Sequence, residues 1–223
     1  MAQPKDSNPD PALIPEDQPT DWFEVLYSSA DKDGTGVPWA NMATHPSFAK
    51  WVARNPVDGQ GKTALVVGCG MGDDAIALEA LGFRVTAFDV SATAIELCKE
   101  RFPQSTVDFL QADLLADQPQ WDRKFDLVLE IFTVQALPPK YEDGLIESIA
   151  GFVAPNGLLV VIAETSEEPR TFENGPPWLL TSGHIQAFAS HGLLIEQELS
   201  EPSDFPLADR LLVTTLKRSE GSE

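Results

Sequence analysis

Val66-Val67-Gly68-Cys69-Gly70-Met71-Gly72-Asp73-Asp74 decides the fold. It closes a short apolar run, Ala64 to Val67, of the kind that forms a central strand buried on both faces. Three glycines then follow within five residues. Glycine is needed where the backbone takes angles closed to other residues, or where a ligand must lie against it with no Cβ in the way. The helical spacing from Met71 to Leu81, stopped by Gly82, completes a strand–glycine turn–helix unit.

Outward from this unit the chain alternates strands and helices. Arg84–Asp89 reads as the second strand, and Ser91 as the cap of a helix from Ala92 to about Arg101. Thr106–Leu110 is the third strand and Phe125–Glu130 the fourth. Pro138-Pro139 opens a helix that runs to about Val153, and Asn156-Gly157 turns the chain into a fifth strand, Leu158–Ala163. Thr181 caps a helix ending near Gly192, after which Leu193–Leu199 and Arg210–Lys217 form an antiparallel hairpin. The pattern predicts an α/β fold with a doubly wound, mostly parallel sheet and ligands at the carboxyl ends of its strands. Before the first strand, Asp21 is read as the N-cap of a short helix through Tyr27. Asp31–Gly36 is a polar turn, and Pro46 sits just inside a helix through Val52.

Two carboxylates qualify the glycine turn. Asp89 ends the second strand 21 residues after Gly68, where it can accept both hydroxyls of a ribose lying across the strand ends. Asp73 and Asp74 stand at the start of the following helix. There they suit the helix dipole but repel the diphosphate that a nicotinamide or flavin dinucleotide would place there. Gly72 also falls one position early for the dinucleotide pattern. The turn therefore favours a sulfonium cofactor, S-adenosylmethionine, over NAD. Asp113, with the Leu114 amide after it, is placed to bind the edge of an adenine ring, or else to cap a local turn. Glu130 ends the fourth strand, where it faces a methionine amine, an attacking nucleophile or a buried partner.

Bulk composition narrows the partners. The 223 residues carry 35 acidic and 15 basic side chains, a formal charge of -20, which opposes nucleic acid and anionic membranes at long range. No apolar stretch is long enough to span a bilayer, and the N-terminus lacks the apolar core of a signal peptide. The two cysteines, Cys69 and Cys98, are not expected to pair, and a cytoplasmic location is expected. Residues 1–20, rich in Pro, Asp, Asn and Gln, read as a disordered tail. Residues 21–223 read as one domain whose segment 21–60 covers the site, in a monomer or weak homodimer.

The motifs Val66–Asp74, Phe88-Asp89-Val90-Ser91, Ala112-Asp113 and Phe125-Asp126-Leu127-Val128 resemble those of class I methyltransferases. Val37-Pro38-Trp39, Gln135-Ala136-Leu137-Pro138-Pro139 and Gly175-Pro176-Pro177-Trp178 are similar to segments of the thiopurine, halide and thiol methyltransferase group. The resemblance implies a seven-stranded sheet, a helical lid and methyl transfer from S-adenosylmethionine to a small soft nucleophile. The cofactor would be held by Gly68, Cys69, Gly70, Gly72, Asp74, Asp89, Val90, Ser91, Asp113, Leu114 and Glu130. Trp39 would lie near the sulfonium, with Tyr27 or Trp22 as the earlier lid aromatic. Trp39, His45, Gln135 and Trp178 would bound the acceptor, and His184 is a further candidate there. An oxygen or nitrogen acceptor would need a base, for which Glu130 and His45 are the candidates. A non-catalytic cofactor-binding module is the remaining alternative. Trp51 and Trp121 read as packing, and no metal site is expected.

Overall fold

The computed structural model describes residues 17–168, 172 and 175–220. Most of the 1–20 segment lies outside the described residues. Among these residues are six α-helices and seven strands: α1 Asp21–Ser28, α2 Pro46–Arg54, β1 Thr63–Val67, α3 Asp73–Ala80, β2 Arg84–Asp89, α4 Ala92–Arg101 and β3 Asp108–Gln111. They continue with β4 Phe125–Ile131, α5 Glu142–Gly151, β5 Val153–Thr165, α6 Ser182–Ala189, β6 Leu193–Glu201 and β7 Arg210–Arg218. One sheet holds all seven strands in the order β3-β2-β1-β4-β5-β7-β6. Six strands run in one direction, and β7 lies antiparallel between β5 and β6.

β1 shows why the sheet sits where it does. Leu65 and Val67 enter the cluster on one face with Phe88, Phe125 and Val128. Ala64 and Val66 enter the other with Phe48, Trp51 and Leu78. Burial on both faces explains the unbroken apolar run, because a strand covered on one face only would alternate. The order reverses between β1 and β4, whose register pairs Val67 with Glu130. A crevice opens beyond the strand ends at that point.

Several boundaries differ from the sequence expectation. α1 begins at Asp21 itself, preceded by Thr20 with no side-chain cap. Thr106 is held outside β3 by Glu79, which accepts from both its amide and its hydroxyl. Pro138-Pro139 opens a single 3-10 turn, Pro139–Tyr141, before α5 begins. β5 is longer than expected: Val153 already pairs with Phe125, and the irregularity that follows carries Asn156 at a φ of 63°. Met71 and Gly72 belong to the turn, with Gly72 at a φ of 86° as the N-cap of α3.

Arg218, at the end of β7, locks the hairpin to the core. Its guanidinium donates to the carbonyls of Val153 (2.8 Å), His191 (3.1 Å) and Ala150 (2.6 Å). Ala150 lies in the last turn of α5, where carbonyls have no helical partner and a cation is favoured. We expect Arg218→Met to leave these carbonyls unsatisfied and lower the unfolding free energy by about 3 kcal/mol, measured by urea denaturation. An unchanged midpoint would contradict this role.

Candidate active site

A cavity of about 820 Å³ lies over the carboxyl ends of β1, β2, β4 and β5, within the range of small-ligand sites. Its floor is the glycine turn. Gly68 and Gly70 have φ of 59° and 53°, a left-handed region that favours glycine. A Cβ on Gly68 would meet the Thr133 hydroxyl at 2.7 Å, and one on Gly70 the Tyr27 hydroxyl at 3.0 Å. Both glycines thus let neighbouring chain approach the turn closely. Gly72 faces away, toward Cys98, Phe102 and Phe109.

Asp89 joins this turn to β2. One carboxylate oxygen accepts from the Gly70 amide at 2.9 Å and the other from the Ser91 amide at 3.0 Å. Burial raises its pKa, and these backbone donors oppose the rise. Two donors leave further acceptor sites on the carboxylate unused, and Asp89 with Val90 lines the cavity. Ser91 does not. Its hydroxyl accepts from the Ala94 amide as the α4 cap and donates to Glu24 at 2.7 Å.

Glu24 is a contact that sequence reasoning missed. From α1 it also accepts from the amide and hydroxyl of Thr93, bringing a carboxylate to the N-terminus of α4, where the helix dipole favours it. Those hydrogen bonds lower its pKa. The lid is thereby fastened beside the glycine turn. Trp22, Phe23, Tyr27 and Trp39 line the cavity from it, and Trp39 Nε1 donates to the Tyr27 hydroxyl at 3.0 Å. Trp39 meets Trp22 and Tyr27 edge-on, at 5.8 and 6.2 Å between centroids. Burial, then the Asp89 charge, raises the Tyr27 pKa well above normal.

The two acids opening α3 have separate partners. Asp73 forms a bidentate pair with Arg101 at 2.8 and 2.9 Å. This corrects the repulsion argument, since the Asp73 charge is offset by a partner 28 residues away. Asp74 accepts from the His45 amide at 2.8 Å, and burial raises its pKa to about 6. His45 caps α2, with Nδ1 accepting from the Ser47 amide at 3.3 Å. Burial lowers its pKa, and with Nδ1 accepting from the Ser47 amide the ring N–H is on Nε2. His45 lines the cavity, edge-on to Phe132 at 5.2 Å.

Glu130 lies behind the wall. It is 0% exposed, and one oxygen accepts from the amides of Thr133 (2.6 Å) and Val134 (3.1 Å), while Oε2 has no partner among the described residues. Burial raises its pKa to about 7. Its carboxyl thus holds the turn that places Phe132, Thr133 and Gln135 at the cavity. Gln135 in turn accepts from the Glu164 amide at 2.9 Å through its side chain and from the Trp178 amide at 2.7 Å through its carbonyl.

Trp178 is 1% exposed and packs behind the loop against Phe172 and Trp22, so Pro176 and Pro177 line the cavity instead. Asp113 turns back on its own loop, accepting from the Leu115 amide at 2.9 Å. Neither it nor Leu114 lines the cavity. His184 completes a capping box with Thr181 and pairs with Glu142 at 3.3 Å, away from the cavity. Cys69 lines the cavity, and Cys98 donates to the Gly70 carbonyl at 3.1 Å. Both are free thiols.

With this strand order and turn, the fold is that of the class I S-adenosylmethionine-dependent methyltransferases. Residues 64–157 match the family described as a methyltransferase domain. The chain is 34% identical over 177 residues to "Ribosomal protein L11 methyltransferase" of Tolumonas auensis, covering 76% of this chain and 52% of that protein. It is 29% identical over 119 residues to "Probable thiol methyltransferase 2" of Arabidopsis thaliana, covering 52% and 50%. The chain therefore spans about half the length of these curated relatives. A solved structure concerned with conversion of a disulfide bond into a thioacetal group during echinomycin biosynthesis superposes with a TM-score of 0.71 at 20% identity, over 92% of this chain and 93% of that one. No helix among the described residues is long and apolar enough to cross a membrane.

The buried Glu130 carboxyl gives a stability signature. Folding raises its pKa from 4.5 to about 7, so the native state binds the proton more tightly than the unfolded chain. Its contribution is therefore lost as pH rises from about 4.5 to about 7 and is constant above that, a fall on the order of 3 kcal/mol. Glu130→Gln, which keeps the Oε1 acceptor and cannot ionise, is expected to be less pH-sensitive than the native protein by that amount. Urea denaturation at about pH 5 and about pH 8 measures the difference. Parallel profiles would contradict the buried, protonated carboxyl.

Proposed function

We propose that this protein transfers the methyl group of S-adenosylmethionine to a small-molecule acceptor. The observation that carries the proposal is the hydrogen bond from the Gly70 amide to Asp89, which draws the glycine turn and the end of β2 together on one side of the cavity. The residues present fit the cofactor. Gly68 and Gly70 add no side chain of their own to the floor, where the Thr133 and Tyr27 hydroxyls pack against them, and Asp89 retains acceptor capacity for ribose hydroxyls. Tyr27 and Trp39 supply ring faces, which attract a cation by roughly 0.5–2 kcal/mol.

The bound cofactor would supply a methyl group already activated by positive sulfur. The chain's own task is then to align the acceptor and exclude water. Trp22, Phe23 and Trp39 close the cavity from the lid side, while Gln135, Pro176 and Pro177 bound it opposite. A thiol is the acceptor this arrangement supports best, because it loses its proton to solvent and reacts as the thiolate without needing a base from the protein. Glu130 is sealed behind the Thr133 turn, and His45 presents an N–H rather than a lone pair at Nε2, so the two groups suited to a base in an oxygen or nitrogen transfer are not poised for it. Halides and chalcogen oxyanions fit less well, since acids outnumber basic groups on the walls. The sulfur chemistry named for one relative, the probable thiol methyltransferase, and for the thioacetal-forming structural neighbour supports the same reading. Ser91, Glu130 and Trp178 then act by supporting the walls, whereas Gly72, Asp113 and Leu114 stand away from the cavity. Asp74 holds the His45 backbone, and Cys69 forms part of the floor.

Asp89→Asn keeps the side-chain shape and one acceptor oxygen. We expect it to weaken S-adenosylmethionine binding about tenfold or more by calorimetry, which is about 1.4 kcal/mol, with an unchanged far-UV spectrum. Equal affinity would remove the site. A screen of thiols, iodide, amines and phenols, followed by release of S-adenosylhomocysteine, is expected to give turnover with thiols. Turnover with iodide alone would overturn the acceptor assignment.

A further inference from the structure

The glycine turn has little in its own sequence to hold it still. Gly68, Gly70 and Gly72 fall within five residues, and glycine loses more conformational freedom on folding than any other residue. Much of what orders the turn comes from α4, 28 to 30 residues further along the chain. Cys98 donates to the Gly70 carbonyl at 3.1 Å, and Arg101 Nη1 donates to the Met71 carbonyl. The same guanidinium spans both oxygens of Asp73, at 2.8 and 2.9 Å. Gly72 packs against Cys98 and Phe102, where a Cβ would come within 2.9 and 3.3 Å. The last turn of α4 thus backs the glycine turn on the side away from the cavity.

Arg101 suits this task by place as well as by type. It ends α4, where a cation favours the negative pole of that helix, and Asp73 opens α3, where an acid favours the positive pole. The ion pair therefore joins two helix ends behind the turn. Both side chains are 16% exposed, so solvent screens the pair little. The Phe102 ring lies under the guanidinium, 4.7 Å from its centroid. A planar fork serves the carboxylate and the carbonyl together, which the compact ammonium of a lysine matches poorly. Asp73 and Met71 line the cavity and Arg101 does not, so any effect of Arg101 on a ligand passes through the turn.

We infer that Arg101 is a positioning residue for the cofactor, fixing the glycine turn before the ligand arrives. This rests on the proposed binding of S-adenosylmethionine and adds a residue outside the cavity that sets its affinity. A turn ordered in advance spares the ligand the entropy of ordering it, and the difference is realised as tighter binding. Without Arg101 the Met71 carbonyl loses its donor, the Asp73 charge loses its partner, and the three glycines lose a restraint on their backbone angles.

Arg101→Met keeps the apolar stem and removes the fork. By calorimetry we expect this variant to bind S-adenosylhomocysteine about tenfold more weakly than the native protein. Hydrogen–deuterium exchange without ligand should quicken in residues 68–74 and stay unchanged in β4 and β5, a pattern that general destabilisation does not produce. Arg101→Lys keeps the charge and should recover part of the affinity and part of the protection. It carries the same two measurements if the methionine variant does not fold. Native affinity in the variants, or weaker binding with unaltered exchange in the turn, would overturn the inference. Faster exchange spread evenly over the sheet would overturn it too, since Arg101 would then act on the fold as a whole. Native protein that does not bind S-adenosylhomocysteine would overturn the cofactor reading, and this inference with it.

Discussion

One buried carboxylate holds the functional end of this molecule together. Asp89 accepts the Gly70 amide from the turn after β1 and the Ser91 amide ahead of α4. Removing a carboxylate from water is costly, and among the described residues no cation pairs with this one. Two backbone amides, each a fixed dipole, take the place of the lost hydration. The cost is accepted at a position where three elements meet: the end of β1, the end of β2 and the start of α4. Without the carboxylate, the Gly70 and Ser91 amides would be left unsatisfied beneath the lid, and the floor of the cavity would lose its shape.

The lid depends on the same junction. Ser91 passes its hydroxyl to Glu24, and Glu24 reaches Thr93, so α1 is tied to the first turn of α4. Tyr27, one turn further along α1, then rests over Gly70, where only a glycine leaves room. The cavity floor and the helix α1 above it are thus two sides of one hydrogen-bonded cluster. The opposite wall has its own support in the chain from Glu130 to the Thr133 turn, and from Gln135 to Glu164 and Trp178. Several residues suited to chemistry by type therefore serve to place others.

The strand alternation was legible in the sequence because β1, β2 and β4 are apolar runs stopped by glycine or an acid, a pattern set by burial on both faces. The cap at Ser91, the proline at the start of α2 and the closing hairpin followed from local rules as well. Insertion of β7 between β5 and β6 was not legible, since a hairpin pattern does not say which strand pairs with the sheet. The place of Gly68, Gly70, Asp89, Trp39 and Gln135 on the cavity wall was legible because turn geometry and strand ends constrain them. Glu24, Arg101 and Glu164 were missed because their roles arise from partners far away in sequence. Glu130 and Trp178 have the right residue type at the right end of the sheet, yet they face inward. A strand-end position does not fix which side of a turn the side chain takes.

The central claim is that the glycine turn and Asp89 grip one nucleoside between them. A crystal structure of the protein soaked with S-adenosylhomocysteine tests it most directly. The account predicts ribose hydroxyls within hydrogen-bond reach of the Asp89 carboxylate and the homocysteine chain against Gly68 and Gly70. Ligand density elsewhere, or a cleft filled by Tyr27 and Trp39 with no ligand beneath them, would contradict it.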